Sequence, residues 1–590
     1  MDLRVSSSIV RSFGATFRGV IPVGLSSKHR GAGLAPQVVG ALERQEVKLM
    51  IVQLRNFSLG LALGLMMACY TIPVAAQASV AGTYSPSPIT PSASNLDPAD
   101  WEPILLESAV ADDVLPPQPI ESRDVRLELA QLRETLRSMT PHQRALVNKW
   151  AVTNQGSVWR QVLDQLTLHN LAGPPSSYRL YAALHIAIAD AEVAARNRQR
   201  AYRRPLPGEV DSGIHSLVAS LSPYAYPSDL AAETGAAERI LLFVRPEAAG
   251  QIRALADESM RALESSGLYL KSDCEAGRHL GRAVAEEVLS VLARDRRPNQ
   301  LVFAKEMPWE QVAAPETVRL GARFQPTHSE YDDSVKWTTP LLRQGVTYGD
   351  LPPWNQALPV DPTAGSWQPL VLESTNLFHA PPPPVNSSAQ TMHDMQEIVA
   401  ALNNRTDFTD FIAFKWANEQ PGRWVAEIMD GLMSRYDWNA PTTARAEAIL
   451  YAAMYDAVLT TWREKFRYLR PRPALLETGL PTVILTPKHP SYPAGHGTFV
   501  AAGVTVLQKF FPDDRSEYEY LIPEVNNARV WAGVHFRDDM LAGNAIGEQV
   551  ANAVMEKVHL DGSPGERSKR VLGQPLVTAA FFGDGGPNYH

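Results

Sequence analysis

Two stretches of the chain decide its fold class: YAALHIAIADAEVAARNRQRAYRRPLP at residues 181–207 and YAAMYDAVLTTWREKFRYLRPRP at residues 451–473. In each stretch apolar residues recur at helical spacing, and prolines at the end forbid further helix. Each stretch also contains Asp-Ala, then twelve residues, then Arg-Pro. This repeated spacing predicts a helical protein with two halves that are related by internal duplication.

The rest of the sequence extends the helical pattern, and no run alternates apolar and polar residues as a strand would. The predicted helices cover residues 124–138, 142–152, 178–201, 247–265, 274–295, 388–402, 407–418, 423–436, 443–468, 497–511, 515–530 and 538–557. Residues 297–385 are rich in proline, which predicts an irregular connection. The predicted fold class is therefore all-α: two helical bundles joined by a long Pro-rich crossover.

Composition limits the classes of function. The chain has 590 residues, of which 45% are hydrophobic and 20% charged, and its net charge is −8. These values are typical of a globular protein with a sizeable core. Because there is no basic excess, nucleic acid is not expected as a partner. Two cysteines, Cys69 and Cys274, are too few for a disulfide framework or a thiolate-rich metal site.

The N-terminal region resembles a targeting segment. Residues 50–78 combine an early charge at Arg55, an apolar run and a small-residue end, which predicts a secretory signal peptide. We expect an exported protein, periplasmic or extracellular, without a stable membrane span after cleavage. A single N-terminal membrane anchor and a lipid attached to Cys69 are the alternatives. The predicted order is an upstream extension at 1–49, the signal peptide at 50–78, a disordered linker at 79–120, the N-terminal helical half at 121–296, the crossover at 297–385, the C-terminal bundle at 386–560 and a tail at 561–590.

Three segments of the C-terminal half place cations and imidazoles near glycines. The first, WREKFRYLRPRP, has Lys465 near the end of a helix and Arg472 seven residues later, beyond the proline that ends the helix. A solvated basic helix end is the alternative interpretation. The matching positions of the other half hold Gln199 and Leu206. Any anion site should therefore belong to the C-terminal half alone.

The second segment, HPSYPAGHGTFVAAGVTVLQKFF, opens a helix with Gly495 and His496. A glycine turn at a helix start points free backbone N–H groups and the positive end of the helix dipole at one place. This arrangement favours a bound anion beside His496. An ordinary helix start with a surface histidine is the alternative.

The third segment, NNARVWAGVHFRDDMLAGNAIGEQV, contains Arg529, His535 and Asp539. A break at Gly533 is needed to bring Arg529 and His535 to the same side. Asp539 is expected to orient His535 by accepting the hydrogen bond of its second ring N–H.

Together these residues predict a tetrahedral oxyanion as the ligand. Three cations repel Mg²⁺ and Ca²⁺, and two histidines without cysteines make a weak zinc site. Phosphate or vanadate would take charge-assisted hydrogen bonds from the cations and from a backbone N–H, while one imidazole bonds the central atom. The donors expected are Lys465, Arg472, Arg529 and the Gly495 N–H.

The same residues resemble the vanadium-dependent haloperoxidases, which share a superfamily with type 2 phosphatidic acid phosphatases and bacterial class A acid phosphatases. The family pattern is K-x6-R-P, then P-S-G-H, then R-x5-H-x3-D. It corresponds here to Lys465 with Arg472-Pro473, to Pro493-Ala494-Gly495-His496, and to Arg529 with His535 and Asp539. The segments GSWQP at 365–369 and FIAFKW at 411–416 also look like the family.

The resemblance implies a vanadate cofactor and a role for each position. His535 would bond the vanadium of vanadate, and His496 would be the acid–base residue. The vanadate oxygens would be held by Lys465, Arg472, Gly495 and Arg529. Hydrogen peroxide would oxidise a halide at this site, and the hypohalous product would halogenate a small organic acceptor. A homodimer is one possible assembly.

Two positions refine this expectation. His489 stands where algal bromoperoxidases have histidine and fungal chloroperoxidases have phenylalanine, which favours bromide over chloride. Ala494 replaces the serine whose hydroxyl bonds the oxyanion in the family. Because losing one such donor costs about 1.5 to 3 kcal/mol, weaker vanadate binding is expected.

Two other functions would use the same groups. An acid phosphatase-like phosphomonoesterase would use His535 as the nucleophile, through a phosphohistidine, and His496 as the acid for the leaving group. The missing serine at Ala494 makes a noncatalytic oxyanion-binding homologue the second alternative.

Overall fold

The computed structural model describes residues 98–106, 116–167, 173–293, 360–361, 363–417, 422–436, 438–477 and 479–558. Within these ranges the chain forms helices and turns without a β-strand, so the all-α prediction is confirmed. The predicted signal peptide, the extension before it, the tail and most of the crossover lie outside the described residues. None of the described helices is long and apolar enough to cross a membrane.

Three helices of the first half, as far as it is described, begin with small polar caps. Ser122, Thr140 and Ser228 each accept a backbone N–H bond at a helix start. The helices are α1 (Arg123–Arg137), α2 (Pro141–Val147), α3 (Gln155–Thr167), α4 (Pro174–Tyr202), α5 (Pro207–Val210), α6 (Asp229–Val244), α7 (Ala249–Glu264) and α8 (Lys271–Ala293).

In the second half Ser388 and Asn439 cap helix starts in the same way. Its helices are α9 (Ala389–Asn403), α10 (Asp407–Ala417), α11 (Arg423–Arg435), α12 (Ala440–Tyr468), α13 (Pro473–Leu476), α14 (Gly495–Phe510), α15 (Leu521–Trp531) and α16 (Arg537–Val558). Short 3-10 turns at Ala364–Ser366 and Thr375–Leu377 interrupt the described end of the Pro-rich crossover.

The long helices α4 and α12 pack against each other at the centre of the core. Helices α6 and α8 pack on α4, while α14 and α16 pack on α12. Most side chains of α4 and α12 are buried, because other elements surround both helices. Both have 29 residues, and α12 begins 440 − 174 = 266 residues after α4. The internal duplication itself stays a prediction.

Two irregular segments cross the central helices and are held by buried carboxylates. The N–H groups of Ile104 and Leu105 donate to Asp190 of α4, at 2.7 and 3.2 Å. Those of residues 370–372 donate to Asp456 of α12. Residues 98–106 therefore belong to the helical body, and the linker predicted for residues 79–120 is too long. Apolar periodicity misses this segment because side-chain carboxylates hold its backbone.

The sequence prediction also missed two long helices, α3 and α6, and the four-residue helices α5 and α13. The residues of α6, DLAAETGAAERILLFV, are small or apolar on several faces, since the helix packs against α4, α7 and α8. A helix buried on more than one side lacks the one-sided period on which the prediction depends. The helix predicted at 515–530 begins later, at Leu521, because a 3-10 turn covers Pro512–Glu517.

Candidate active site

The candidate site forms where the end of α12, the start of α14 and the junction of α15 with α16 meet. Lys465 lies in the last turn of α12, and the C-cap residue Leu469 has a φ of 53°. The buried Lys465 Nζ donates to the carbonyl oxygens of Pro490 and Ser491, at 2.8 and 3.1 Å. These bonds join α12 to the loop that leads into α14.

Arg472 connects three of these elements. Its Nε donates to the carbonyl oxygen of His489 at 3.0 Å, and its NH1 donates to the carbonyl oxygen of Val534 at 2.7 Å. NH1 also lies 2.8 Å from His535 Nε2, and NH2 lies 3.2 Å from His489 Nδ1. Both imidazoles can accept these bonds only in the neutral form, since a charged imidazole has no free lone pair.

Asp539 fixes the orientation of His535. The His535 Nδ1 lies 3.2 Å from Asp539 Oδ2, so Nδ1 carries the proton and Nε2 carries the lone pair. Asp539 Oδ2 also accepts a hydrogen bond from the Ser491 hydroxyl, and Oδ1 accepts one from Arg470 at 2.7 Å. The structure thus gives His535 the protonation geometry of a nitrogen ligand or nucleophile at Nε2.

Helix α10 covers another side of the site through its backbone. The carbonyl oxygen of Trp416 lies 2.9 Å from His496 Nε2, which donates to it. The carbonyl oxygen of Ala413 accepts a hydrogen bond of 2.6 Å from Arg529. Because Nε2 of His496 is the donor, its Nδ1 is left as the proton acceptor in the neutral ring.

The start of α14 carries backbone N–H groups that no side chain caps. Gly495 is its first residue, and Ala494 before it offers no side-chain cap to the free N–H groups. A Cβ at Gly495 would lie 3.1 Å from the Trp462 ring, so glycine suits this position. The Trp462 ring in turn packs on His489, with 4.8 Å between ring centroids.

Burial weakens the charged forms of the site cations. Desolvation, with Arg472 nearby, holds the pKa of Lys465 well below its usual value. Desolvation also lowers the pKa of Arg472 to about 9, and Arg529 contributes repulsion. Cations that are destabilised in this way would regain their charge next to a bound anion.

The imidazoles are also shifted toward the neutral form. Burial and nearby cations hold the pKa values of His489, His496 and His535 well below the usual range. In contrast, the pKa of Asp539 is lowered: burial alone would raise it, but Arg470 and the hydrogen bond from His535 outweigh burial. A charged carboxylate beside a neutral imidazole results.

The charges of the site suit an oxyanion. Lys465, Arg472 and Arg529 are at most 1% exposed, while the hydrogen-bonded carboxylate of the site, Asp539, already pairs with Arg470. Buried cations in excess of carboxylates are costly, and a bound anion removes that cost. Orthovanadate or orthophosphate fits this set of donors. The described residues hold no cluster of three or more His, Cys, Asp or Glu suited to a metal cation.

Direct hydrogen bonds or ring contacts link most of the residues that the motifs singled out. They join Arg472, His489, Ala494, His535 and Asp539. Lys465 is linked to Asp539 through Ser491, Gly495 follows Ala494 in the chain, and Arg529 is near enough to lower the pKa of His496. The motifs missed Ser491, Arg470 and the α10 carbonyls. Arg470 had a signal, since it is the arginine of the repeated Arg-Pro pair. No sequence motif pointed to the carbonyl groups of α10.

Comparison with known proteins gives a superfamily match. Residues 446–561, which contain every candidate site residue, match the model of the PAP2 superfamily. This is the superfamily that the motifs indicated. No curated protein matches the chain.

Solved structures give similarities at low sequence identity. A bacterial vanadium-dependent iodoperoxidase aligns with 69% of this chain and 96% of its own, at 18% identity and a TM-score of 0.48. A bacterial vanadium-dependent chloroperoxidase in its holo form aligns with 67% of this chain and 94% of its own, at 16% identity and a TM-score of 0.47. The apo form covers 67% and 97%, at 16% identity and a TM-score of 0.45.

Proposed function

We propose that the protein is a vanadate-dependent haloperoxidase that uses hydrogen peroxide to oxidise a halide, and that the hypohalous product halogenates small organic molecules. The observation that carries this proposal is the excess of buried cations around a neutral, Asp539-oriented imidazole. The superfamily match over residues 446–561 supports it. Vanadate, when bound, would supply a V(V) Lewis acid that activates peroxide.

Different residues of the chain would contact different parts of the oxyanion. Lys465, Arg472 and Arg529 would neutralise its charge, and the N–H groups at Gly495 would bond its oxygens. His535 would bond the central atom through Nε2, since Asp539 holds the proton on Nδ1. In the structure Arg472 donates to that Nε2, so the incoming anion has to take over this donor.

His496 would move the proton. Its Nε2–H is fixed on the Trp416 carbonyl, which leaves Nδ1 to take a proton from peroxide and return it to the leaving oxygen. The lowered pKa keeps the ring neutral at neutral pH. His489, buried between Trp462 and Arg472, would favour bromide over chloride. An exported, periplasmic or extracellular location is part of this proposal.

The test is a pair of assays on the purified protein. With vanadate, peroxide and bromide we expect halogenation of a cyclic 1,3-diketone, and with a phosphate monoester in the absence of vanadate we expect little hydrolysis. His535→Ala should abolish halogenation. Lys465→Met should weaken vanadate binding about tenfold or more, because one charge-assisted donor is lost. Efficient phosphomonoester hydrolysis without halogenation would contradict the proposal.

A phosphomonoesterase is the second candidate. The superfamily match includes this possibility, and a neutral His535 with Nε2 free of a proton is also the form that a phosphohistidine needs. Trapping phosphate on His535 by rapid acid quench, with His535→Ala as control, would favour it. Binding of vanadate or phosphate without either reaction would favour the noncatalytic alternative.

A further inference from the structure

The N-terminal half contains a cluster of buried side chains around Asp229, here termed the N-terminal pocket, that is built on the same frame as the candidate active site. The pairs α5 and α13, α6 and α14, and α8 and α16 each begin 266 residues apart, for example 495 − 229 = 266. The ion pair between Arg470 and Asp539, at 2.7 Å, has a counterpart between Arg204 and Asp273, at 2.9 Å. The two pockets therefore share helix starts and an anchoring ion pair.

The side chains of the two pockets differ in charge. Neutral residues occupy the N-terminal positions that correspond to the cations and to His496. The replacements are Gln199 for Lys465, Leu206 for Arg472, Leu263 for Arg529 and Leu230 for His496. The N-terminal pocket thus lacks the donors for a multiply charged oxyanion.

A carboxylate of the chain stands where the candidate active site has a glycine. Asp229 occupies the position of Gly495, and Arg196 occupies the position of Trp462. The Arg196 NH2 lies 2.6 Å from Asp229 Oδ2. From the position of His535, the Tyr269 hydroxyl donates to Asp229 Oδ1 at 2.5 Å.

We propose that the N-terminal half is a second anion pocket, that the Asp229 carboxylate is its resident anion, and that the pocket takes a small monocarboxylate once this side chain is removed. Asp229 and Arg196 are both buried, so the guanidinium needs a buried negative partner. Glu192, at 2.8 Å from the Arg196 Nε, supplies a second acceptor but leaves the NH2 to Asp229. The proposal does not depend on what the candidate active site binds.

The test replaces Asp229 by the residue of the other pocket. Asp229→Gly should lower the melting temperature by about 5 °C, and sodium formate should restore part of this loss where sodium chloride at equal ionic strength does not. The parent protein and Asp229→Asn, which leaves no cavity, are the controls, and neither should show a formate-specific shift. A folded Asp229→Gly variant whose response to formate equals that of the parent would overturn the proposal.

A second measurement decides the matter if Asp229→Gly does not fold. Asp229→Asn and Arg196→Met each remove one charge, and the double variant removes both. Asp229→Asn leaves the guanidinium with Glu192 alone, and Arg196→Met leaves the Asp229 carboxylate without its cation. The double variant should therefore lose less stability than the sum of the single losses. Additive losses, or a double variant that does not fold, would contradict an Asp229 carboxylate held as the anion of Arg196.

Discussion

The hydrogen-bond partners of Asp539 fall into two groups. One partner recurs at the matching position of the N-terminal half, and the other is present only at the candidate active site. The ion pair of Asp539 with Arg470 recurs as Arg204 with Asp273 in the half that lacks the site cations. The pair is therefore scaffold. The Ser491 hydroxyl, by contrast, has no counterpart, since Ala225 stands at the matching position.

Ser491→Ala should lower the rate of halide oxidation about tenfold, because Asp539 loses a donor that fixes its orientation toward His535. The fold should persist, as the other half accepts alanine here. Measured kcat and vanadate affinity separate the effects: we expect the larger change in kcat. An unchanged kcat would show that Ser491 has no positioning role.

Ala494→Ser should tighten vanadate binding about tenfold, since the added hydroxyl supplies a donor to a charged ligand. Isothermal titration with vanadate measures the change. Ser228→Ala is the matched control, because Ser228 takes the equivalent place at the start of α6 and caps that helix away from the site. It should leave vanadate affinity unchanged. Equal affinities of Ala494→Ser and the parent would contradict our placement of the turn.

At the scale of elements, glycines let α14 and α16 approach closely. A Cβ at Gly547 would lie 2.2 Å from the carbonyl oxygen of Thr498, which is backbone and cannot yield easily. The contact sets the distance between the helix that starts at Gly495 and the helix that contains Asp539. Helix packing and site geometry therefore depend on the same residue.

Gly547→Ala should lower the free energy of unfolding by at least about 2 kcal/mol through overpacking. Gly250→Ala is the control: nothing lies within 4 Å of its added Cβ on α7, so it should be neutral or stabilise by up to about 1 kcal/mol. Urea unfolding at constant m-value measures both. If Gly547→Ala changes the free energy of unfolding no more than Gly250→Ala does, α14 and α16 can move apart without cost.

At the scale of the whole molecule, stability should depend on buried carboxylates as well as on the site. Burial, with Asp229 nearby, raises the pKa of Glu192 to about 7 from 4.5. A raised carboxyl pKa means that the folded protein keeps the proton after the unfolded chain has lost it. The stability from Glu192 is therefore complete below about pH 4.5 and is lost as the pH rises to about 7.

Glu192→Gln should remove this contribution to the pH dependence. Between about pH 5 and pH 7.5 the parent should lose more free energy of unfolding than the variant, because the glutamine does not ionise. Urea unfolding at several pH values measures the difference. Parallel pH profiles of the two proteins would show that Glu192 ionises in the folded state as it does in the unfolded chain.

The sequence alone determined the helical class and indicated most of the groups at the candidate site. Periodicity and proline positions are local, so they predicted most helices and placed Lys465 on a helix end with Arg472 beyond it. Residue type alone indicated an oxyanion, since cations repel Mg²⁺ and Ca²⁺ and two histidines without cysteines make a weak zinc site.

Tertiary structure decided what holds these groups in place. Ser491 meets Asp539 across 48 residues, and the Trp416 carbonyl meets His496 across 80. The amides of residues 104 and 105 meet Asp190 across more than 80. In the N-terminal half, helix packing likewise brings Asp229 against Arg196. Such contacts depend on how helices pack, and a backbone carbonyl or a serine in a loop leaves no periodic trace in the sequence.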